Sequence, residues 1–176
     1  MKFTPSPLAG AYLIEPELLE DDRGFFARAF CREEYESHGL NPDVMQGNIS
    51  FNHVKGTVRG MHYQLPPHRE VKVVRCTRGA IYDAIVDLRP DSSTYLQVFG
   101  AELSAENHRQ LYVPEGFAHG YQTLEDNCEV SYQVSQFYAP GSERGVRWND
   151  SAFKLEWPLP VSCISDKDQA HPEYEV

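Results

Sequence analysis

Residues 78–92 read RGAIYDAIVDLRPDS, a short apolar segment with turn-forming residues at both ends. Within it, Ile81, Asp83 and Ile85 recur at every second position. This is the period of a β-strand that buries one face, and the β-branched residues of the segment favour the same structure. The glycine before it and the Pro-Asp-Ser after it predict tight turns. The stretch therefore predicts one short strand of an antiparallel sheet.

The same pattern recurs along the chain. Val71 and Val73 alternate, as do Val130, Tyr132 and Val134, and further turn signals lie at 114–116 and 139–141. This spacing is typical of a sandwich or barrel rather than of alternating strands and helices. Only residues 32–38, closed by Gly39, and the segment after Ser165 have a helical pattern. We therefore expect a single all-β domain over residues 1–176, a jelly-roll β-sandwich with a few short helices.

Composition and charge restrict the class of protein. The 176 residues are 41% hydrophobic, which is enough for one core. Twenty-six acidic and 16 basic side chains give a net charge of −10, which argues against nucleic-acid binding. The four cysteines form no CxxC pair, so reduced thiols are expected. The first 22 residues hold no apolar run suited to a signal peptide or membrane span, which favours a soluble cytoplasmic protein.

The segment 58–64, VRGMHYQ, places polar side chains where a strand pattern predicts core. Strict alternation puts Val58, Gly60 and His62 on one face and Arg59 on the other. A bulge at Gly60 would instead bring both Arg59 and His62 inward. Taken alone, the pattern favours an ordinary core or surface role for His62.

A second segment, 113–120 or VPEGFAHG, predicts a tight turn that delivers His119 onto a strand. The alternative is a plain turn with a hydrogen-bonded histidine. Asp83 shares the buried face of Ile81 and Ile85, and a buried carboxylate requires a partner. We expect that Asp83 orients His119 or another cation.

Three further residues have both a structural and a functional interpretation. Tyr132 would present its phenol to the interior, where the ordinary alternative is a bond to a carbonyl. Lys72 points away from its neighbouring valines, either to solvent or into a cavity. Asp168 lies in Ser165-Asp166-Lys167-Asp168, which also fits a helix-capping box in which the Ser hydroxyl and the Asp carboxylate both bind backbone N–H groups.

The order of these segments resembles the dTDP-4-dehydrorhamnose 3,5-epimerase family from about residue 5 to residue 170. The matching segments are Arg23-Gly24-Phe25-Phe26, Gln46-Gly47-Asn48-Ile49-Ser50, residues 59–64, Lys72, residues 114–120, Tyr132, Phe137-Tyr138-Ala139-Pro140, Glu143-Arg144-Gly145 and Ser165-Asp166-Lys167-Asp168. The resemblance implies a cupin-like jelly roll that forms a homodimer, in which an N-terminal segment crosses to the partner.

The resemblance also implies an isomerase activity. It assigns the proton acceptor to His62 with Asp168 behind it, the proton donor to Tyr132, and the charge near the C4 oxygen to Lys72. A proton beside a ketone is weakly acidic, so its removal requires a positioned base and stabilisation of the enolate. No metal and no cofactor are assigned. Residues implied to bind the nucleoside-diphospho-sugar are Arg23, Phe26, Arg28, Gln46, Asn48, Arg59, Lys72, His119, Tyr138, Glu143 and Lys167.

Two positions depart from the family pattern. Arg28 stands where the family usually has Glu, and Gly47 where many relatives have Asp. A guanidinium donates hydrogen bonds and cannot accept them as a carboxylate does. The nucleotide of the substrate therefore stays open among dTDP, CDP and GDP. Epimerisation at C3, at C5 or at both also stays open.

Two other functions are alternatives. A metal-dependent cupin enzyme could use His62, His68, Glu70 and His119, although Gln64 replaces the second His of the usual HxH motif. A catalytically silent sugar-nucleotide binding module could retain the cavity alone. Such a module has no need of an acid and a base.

Overall fold

The computed structural model describes residues 1–175. Its strands are β1 (Lys2–Pro5), β2 (Tyr12–Glu15), β3 (Leu19–Asp21), β4 (Gly24–Phe26), β5 (Gln46–Asn52), β6 (Val58–Gln64), β7 (Lys72–Arg78), β8 (Ala80–Asp87), β9 (Val98–Ser104), β10 (Gln110–Val113), β11 (Phe117–Thr123), β12 (Cys128–Val134) and β13 (Glu143–Gly145). Its helices are α1 (Arg32–Ser37) and α2 (Asp166–Gln169).

Two antiparallel sheets form the sandwich. One has the order β1-β2-β10-β7-β12-β5 and the other β13-β6-β11-β8-β9, while β3 and β4 pair only with each other. Consecutive strands such as β7 and β8 lie in different sheets, as the chain crosses repeatedly between the two layers. The all-β jelly-roll prediction is confirmed.

The core between the sheets follows the period of two that the sequence displays. Ile81 and Ile85 of β8 are fully buried and pack with Val74 of β7 and Val130 of β12 in one cluster. Asp83 is equally buried between the two isoleucines. The predicted inward face of β8 is therefore confirmed, and it holds one carboxylate.

The outer face of the five-stranded sheet is also covered. Met61, Val86 and Ala118 form a second cluster there with Val146 and Phe153, which follow β13. Strands that are packed on both faces become almost continuously apolar, because no side of them meets water. Residues between Val146 and Tyr174 are therefore part of the packed structure beside β6.

Strand β6 contains the predicted bulge. His62 lies opposite His119 and Arg59 opposite Tyr121, so Gly60 and Met61 together face one residue of β11. The extra residue places Arg59 and His62 on the same face, and strict alternation is wrong for this strand. Gly60 has a φ of +134°, which side-chain-bearing residues rarely adopt.

The two helices begin and end close to their predicted limits. Helix α1 is followed by Gly39 at a φ of +70°. Helix α2 begins after Ser165, whose hydroxyl accepts the Asp168 backbone N–H at 3.1 Å. The capping box is only half correct, because the Asp168 carboxylate turns instead toward β6. The four cysteines are free. Neither helix has the length and apolar character needed to cross a membrane.

Replacing Gly60 with Ala should destabilise the protein. A Cβ at Gly60 would lie 2.6 Å from the Cα of Gly120, in a backbone conformation that already disfavours a side chain. We expect Gly60→Ala to lower the free energy of unfolding by about 1–3 kcal/mol, measured by urea denaturation.

Gly47→Ala is the matched control. A Cβ at Gly47 meets nothing within 4 Å, so its effect should stay within about 0.5 kcal/mol. Equal effects of the two substitutions would contradict a tight bulge.

Candidate active site

Two adjoining cavities of about 140 and 380 Å³ lie between the sheets and share one wall. His62 of β6 lines both cavities from the five-stranded sheet. Lys72 of β7 and Tyr132 of β12 line both from the six-stranded sheet. The structure thus brings together three of the four residues implied to be catalytic, and Asp168 lies directly behind His62.

His62 and Asp168 form a hydrogen-bonded dyad. His62 Nε2 is 2.8 Å from Asp168 Oδ1, and Asp168 Oδ2 accepts the Gly60 N–H at 3.2 Å. Burial of Asp168 opposes ionisation, but the hydrogen bond and charge of His62, with the Gly60 N–H, outweigh it and lower its pKa. The carboxylate is therefore the acceptor, which places the proton of a neutral His62 ring on Nε2. Nδ1 is left with a free lone pair.

Lys72 points into the cavity rather than to solvent, which were the two directions that the sequence left open. Its side chain is only 11% exposed, and its ammonium lies 3.2 Å from Glu70 Oε1. It also donates to the His62 carbonyl oxygen at 3.3 Å. An ammonium has three donors, so one remains for a group in the cavity.

Tyr132 lines the same cavities from β12, in the six-stranded sheet that also carries Lys72. Burial raises the pKa of its phenol, and the charge of Glu70 adds to the effect. The phenol is therefore a neutral hydroxyl that carries a proton. Within residues 1–175 this hydroxyl makes no hydrogen bond, so the carbonyl-bonded core tyrosine of the ordinary interpretation is not what forms.

A second histidine–aspartate pair lies beside the first. His119 Nε2 is 2.8 Å from Asp83 Oδ1, and both side chains are buried. The predicted contact between Asp83 and His119 is confirmed. Arg59 and His119 both line the larger cavity, and Arg59 Nε donates to Asn52 Oδ1 at 2.7 Å. A buried carboxylate thus holds His119 in place on the strand opposite His62.

The mouth of the smaller cavity is polar. Glu143 accepts the Tyr138 hydroxyl at 2.8 Å and pairs with Lys167 at 2.7 Å. Gln46 accepts the Tyr138 backbone N–H at 2.7 Å and lines the cavity with Asn48. Four of these five residues implied by the resemblance line the cavity, and Lys167 joins them through Glu143.

Three implied binding residues do not meet the cavity in the single chain. Arg23 and Phe26 belong to the exposed hairpin β3-β4, where Arg23 pairs with Asp21. Arg28 pairs with Glu34 at 3.3 Å and lies with Phe26 in a separate depression. Their part in the site stays a prediction.

Comparison with known proteins decides the family. A sequence model described as "dTDP-4-dehydrorhamnose 3,5-epimerase" matches residues 5–175. The chain belongs to this family. A curated member from Shigella flexneri is 40% identical over 169 residues, which cover 96% of this chain and 93% of that one. A member from Methanothermobacter thermautotrophicus is 40% identical over 171 residues, with coverages of 96% and 91%.

Solved structures of family members have the same fold. The enzyme of Elizabethkingia anophelis superposes with a TM-score of 0.96 at 41% identity, covering 99% of this chain and 96% of that one. The enzyme of Bacillus anthracis, solved with TDP and PPi bound, gives a TM-score of 0.95 at 42% identity, with coverages of 98% and 99%. The family resemblance and the isomerase class are therefore confirmed.

The set of ligands suggested for a metal-dependent cupin is not assembled. His68 lines neither cavity, and its carbonyl accepts from Gln64 instead. Among residues 1–175, the histidines and carboxylates close enough to hold one ion are His62, Asp168 and His171. The silent-module alternative is likewise not favoured, since the family members are epimerases.

Sequence reasoning missed His171. Its Nε2 lies 3.7 Å from Asp168 Oδ1, and its ring is nearly perpendicular to that of His62 at a centroid distance of 5.7 Å. The only local signal is its spacing of three residues from Asp168, which on a helix places two side chains on one face.

The pH dependence of stability should reveal how much the ionised Asp168 of the dyad stabilises the folded state. The fold lowers the pKa of Asp168, so its carboxylate stabilises the folded state above the ordinary value of about 3.9. That contribution is lost as the pH falls through the lowered folded pKa. We expect the gap in unfolding free energy between the wild type and Asp168→Asn to narrow below about pH 4, in urea denaturations from pH 7 to pH 2.

The control is Asp166→Asn, on the exposed side of the same helix. It should show a smaller difference at neutral pH. A wild-type-to-Asp168→Asn gap that is constant over the whole range would show that the carboxylate is not stabilised by its partners.

Proposed function

We propose that this chain epimerises a nucleoside-diphosphate-linked 4-keto-6-deoxyhexose at C3, at C5 or at both, without a metal or cofactor. The substrate is of the dTDP-4-dehydro-6-deoxyglucose type. The observation that carries the proposal is the placement of a base and an acid on different sheets of one cavity. His62 and Tyr132 line it from opposite layers. Inversion of a carbon requires removal of a proton from one side and delivery from the other.

His62 is the base in this mechanism. Its Nδ1 takes the proton from the carbon beside the ketone, because Nε2 is bonded to Asp168. The ring becomes an imidazolium, which the carboxylate of Asp168 stabilises and keeps in orientation. A positioned general base of this kind contributes roughly 10²- to 10⁴-fold to the rate.

Lys72 acts on the oxygen where charge develops. Removal of the proton moves an electron pair onto the C4 oxygen and forms an enolate. The ammonium of Lys72 is held by Glu70 and the His62 carbonyl in a site that excludes most water. A fixed charge in such a site stabilises the enolate without reorganising during the reaction.

Tyr132 completes the inversion. Its protonated phenol delivers a proton to the opposite side of the carbon and restores the ketone. His62 then gives its proton to solvent and the Tyr132 phenolate takes one up from solvent, so both residues return to their starting states.

The diphosphate and nucleoside have suitable partners. Arg59 and His119 line the larger cavity, and a guanidinium can bind phosphate with two parallel hydrogen bonds. Two family structures, from Bacillus anthracis with TDP and PPi and from Legionella pneumophila with dTDP-4-keto-L-rhamnose, support a thymidine nucleotide. ChmJ from Streptomyces bikiniensis, a 3'-monoepimerase at 31% identity, is the reason to test each carbon separately.

We also propose a cytoplasmic homodimer of single-domain chains, in which the hairpin β3-β4 crosses to the partner. The hairpin pairs with no other strand and exposes Leu19 at 66% and Phe26 at 72%. Ile49 on β5 is 72% exposed. Large apolar side chains with such high exposed fractions favour a protein partner that would cover them. Exchange of the hairpin would bring Arg23, Phe26 and Arg28 to the partner's cavity.

The direct test is a substrate panel in deuterated water. Nucleoside-diphospho-4-keto-6-deoxyglucoses carrying thymine, cytosine or guanine are incubated with the protein, and deuterium at C3 and C5 is read by NMR. We expect deuterium incorporation and inversion to be fastest with the thymidine-linked sugar. Binding of the panel without any exchange would support a silent module and overturn the proposal.

Two variants should separate the base from the acid. His62→Ala should abolish deuterium exchange at both carbons. Tyr132→Phe should still exchange, because His62 can remove a proton and return a deuteron on the same side, but it should lose most inversion. Deuterium content and product are measured in the same sample.

Controls for these variants lie outside the cavities. His53→Ala removes an exposed imidazole, and Tyr95→Phe removes a hydroxyl that contacts Tyr174. Both should retain exchange and inversion. Identical losses in His62→Ala and Tyr132→Phe would rule out separate roles for the two residues.

Association should depend on the hairpin. By light scattering, the wild type should have twice the 20.1 kDa mass of the chain. Leu19→Ser combined with Phe26→Ser should shift it toward the single-chain mass, because the buried apolar area is lost. Val54→Ser, an exposed valine between β5 and β6, is the control. A wild type that is monomeric at high concentration would contradict the dimer.

A further inference from the structure

The imidazole of His171 sits beside the dyad without a partner of its own. Its side chain is 13% exposed, and its Nε2 is buried and makes no hydrogen bond within residues 1–175. A buried polar atom left in this way costs about 1–3 kcal/mol. The atom points toward Asp168 Oδ1, which already binds His62. An unsatisfied nitrogen of a second imidazole is therefore directed at the dyad.

The structure provides a fitted place for this ring. Gly145 on β13 lies opposite His62 in the strand register. A Cβ at Gly145 would overlap the imidazole of His171, so only a glycine there leaves room for it. The slot thus holds the Nε2 atom close to the Asp168 carboxylate.

We infer that His62, Asp168 and His171 form a binding site for a divalent transition-metal ion. The three ligand atoms, His62 Nε2, Asp168 Oδ1 and His171 Nε2, lie within 4.8 Å of one another. Two imidazoles and one carboxylate suit Zn²⁺, Co²⁺ or Ni²⁺, with bonds of about 2.0–2.2 Å. Side-chain shifts of about 1 Å bring the three atoms around one ion at these lengths. Mg²⁺ and Ca²⁺ prefer oxygen ligands and are disfavoured.

Occupation of this site inhibits the enzyme, and this half of the inference rests on the proposed function. A metal ion on Nε2 moves the single proton of the neutral His62 ring to Nδ1. Nδ1 is the atom proposed to accept the substrate proton, and it then has no lone pair to do so. The metal also takes Asp168 away from its role behind the imidazolium. Metal binding and proton abstraction therefore exclude each other.

The binding half is tested with Co²⁺ on the untagged full-length protein, by calorimetry and visible absorption. We expect one ion per chain with the absorption of nitrogen and oxygen ligation, and no competition from millimolar Mg²⁺. His171→Gln removes a ligand and should weaken binding by at least about tenfold. Gly145→Ala should weaken it similarly by displacing the ring, and His53→Gln should leave it unchanged.

Two outcomes would overturn the site. These are the absence of stoichiometric binding, or binding that is as tight in both His171→Gln and Gly145→Ala as in the wild type. Circular dichroism and urea denaturation of each variant confirm that a loss of binding is not a loss of folding.

The inhibitory half is tested by deuterium exchange in a Co²⁺ buffer. Wild-type exchange should fall in parallel with the absorption signal and recover on addition of EDTA. The His171→Gln variant should keep the deuterium exchange that it shows without metal, at Co²⁺ concentrations that abolish exchange in the wild type. Full occupation with undiminished exchange would refute the inhibition. If the metal-free protein shows no exchange with any substrate, the proposed function fails, while the spectroscopic result still decides the metal site.

Discussion

The Asp168 carboxylate, bonded on one side to the His62 ring and on the other to the Gly60 backbone, is the contact on which the site depends. The Gly60 N–H it binds lies in the bulge, which turns Arg59 and His62 to the same side of β6. A carboxylate at this point therefore fixes both the direction and the tautomer of the imidazole. Without it, the Gly60 N–H in the bulge and the His62 ring would both lose this hydrogen-bond partner.

The separation of the proposed acid and base is a property of the sandwich as a whole. His62 and His119 come from one sheet, and Lys72 and Tyr132 come from the other. Packed sheets lie about 10 Å apart, and the space between their inner faces is filled by side chains except where the two cavities remain. The buried aliphatic side chains of the core set this distance, so substitutions far from the cavity can alter how the two groups reach one carbon.

Much of this arrangement could be predicted from the sequence, and the exceptions have physical causes. The period of two located β8 and its buried Asp83, because alternation is a local property of a strand. The bulge was predictable because Gly60 lies between Arg59 and His62, two polar residues that strict alternation would place on opposite faces. The direction of the Asp168 carboxylate was not, because the same Ser-to-Asp spacing suits a helix cap. His171 was missed since its closeness to His62 depends on the C-terminal segment returning across β6.

The return of that segment also orders events in time. His62 precedes Asp168 by 106 positions, and the chain from Val146 onward covers the outer face of the sheet that carries the histidine. A contact between residues so distant in sequence cannot form until both have been synthesised. A nascent chain can thus pair β8 with β9 on the ribosome before Asp168 is available to His62. Synthesis must pass residue 168 before the proposed catalytic dyad can form.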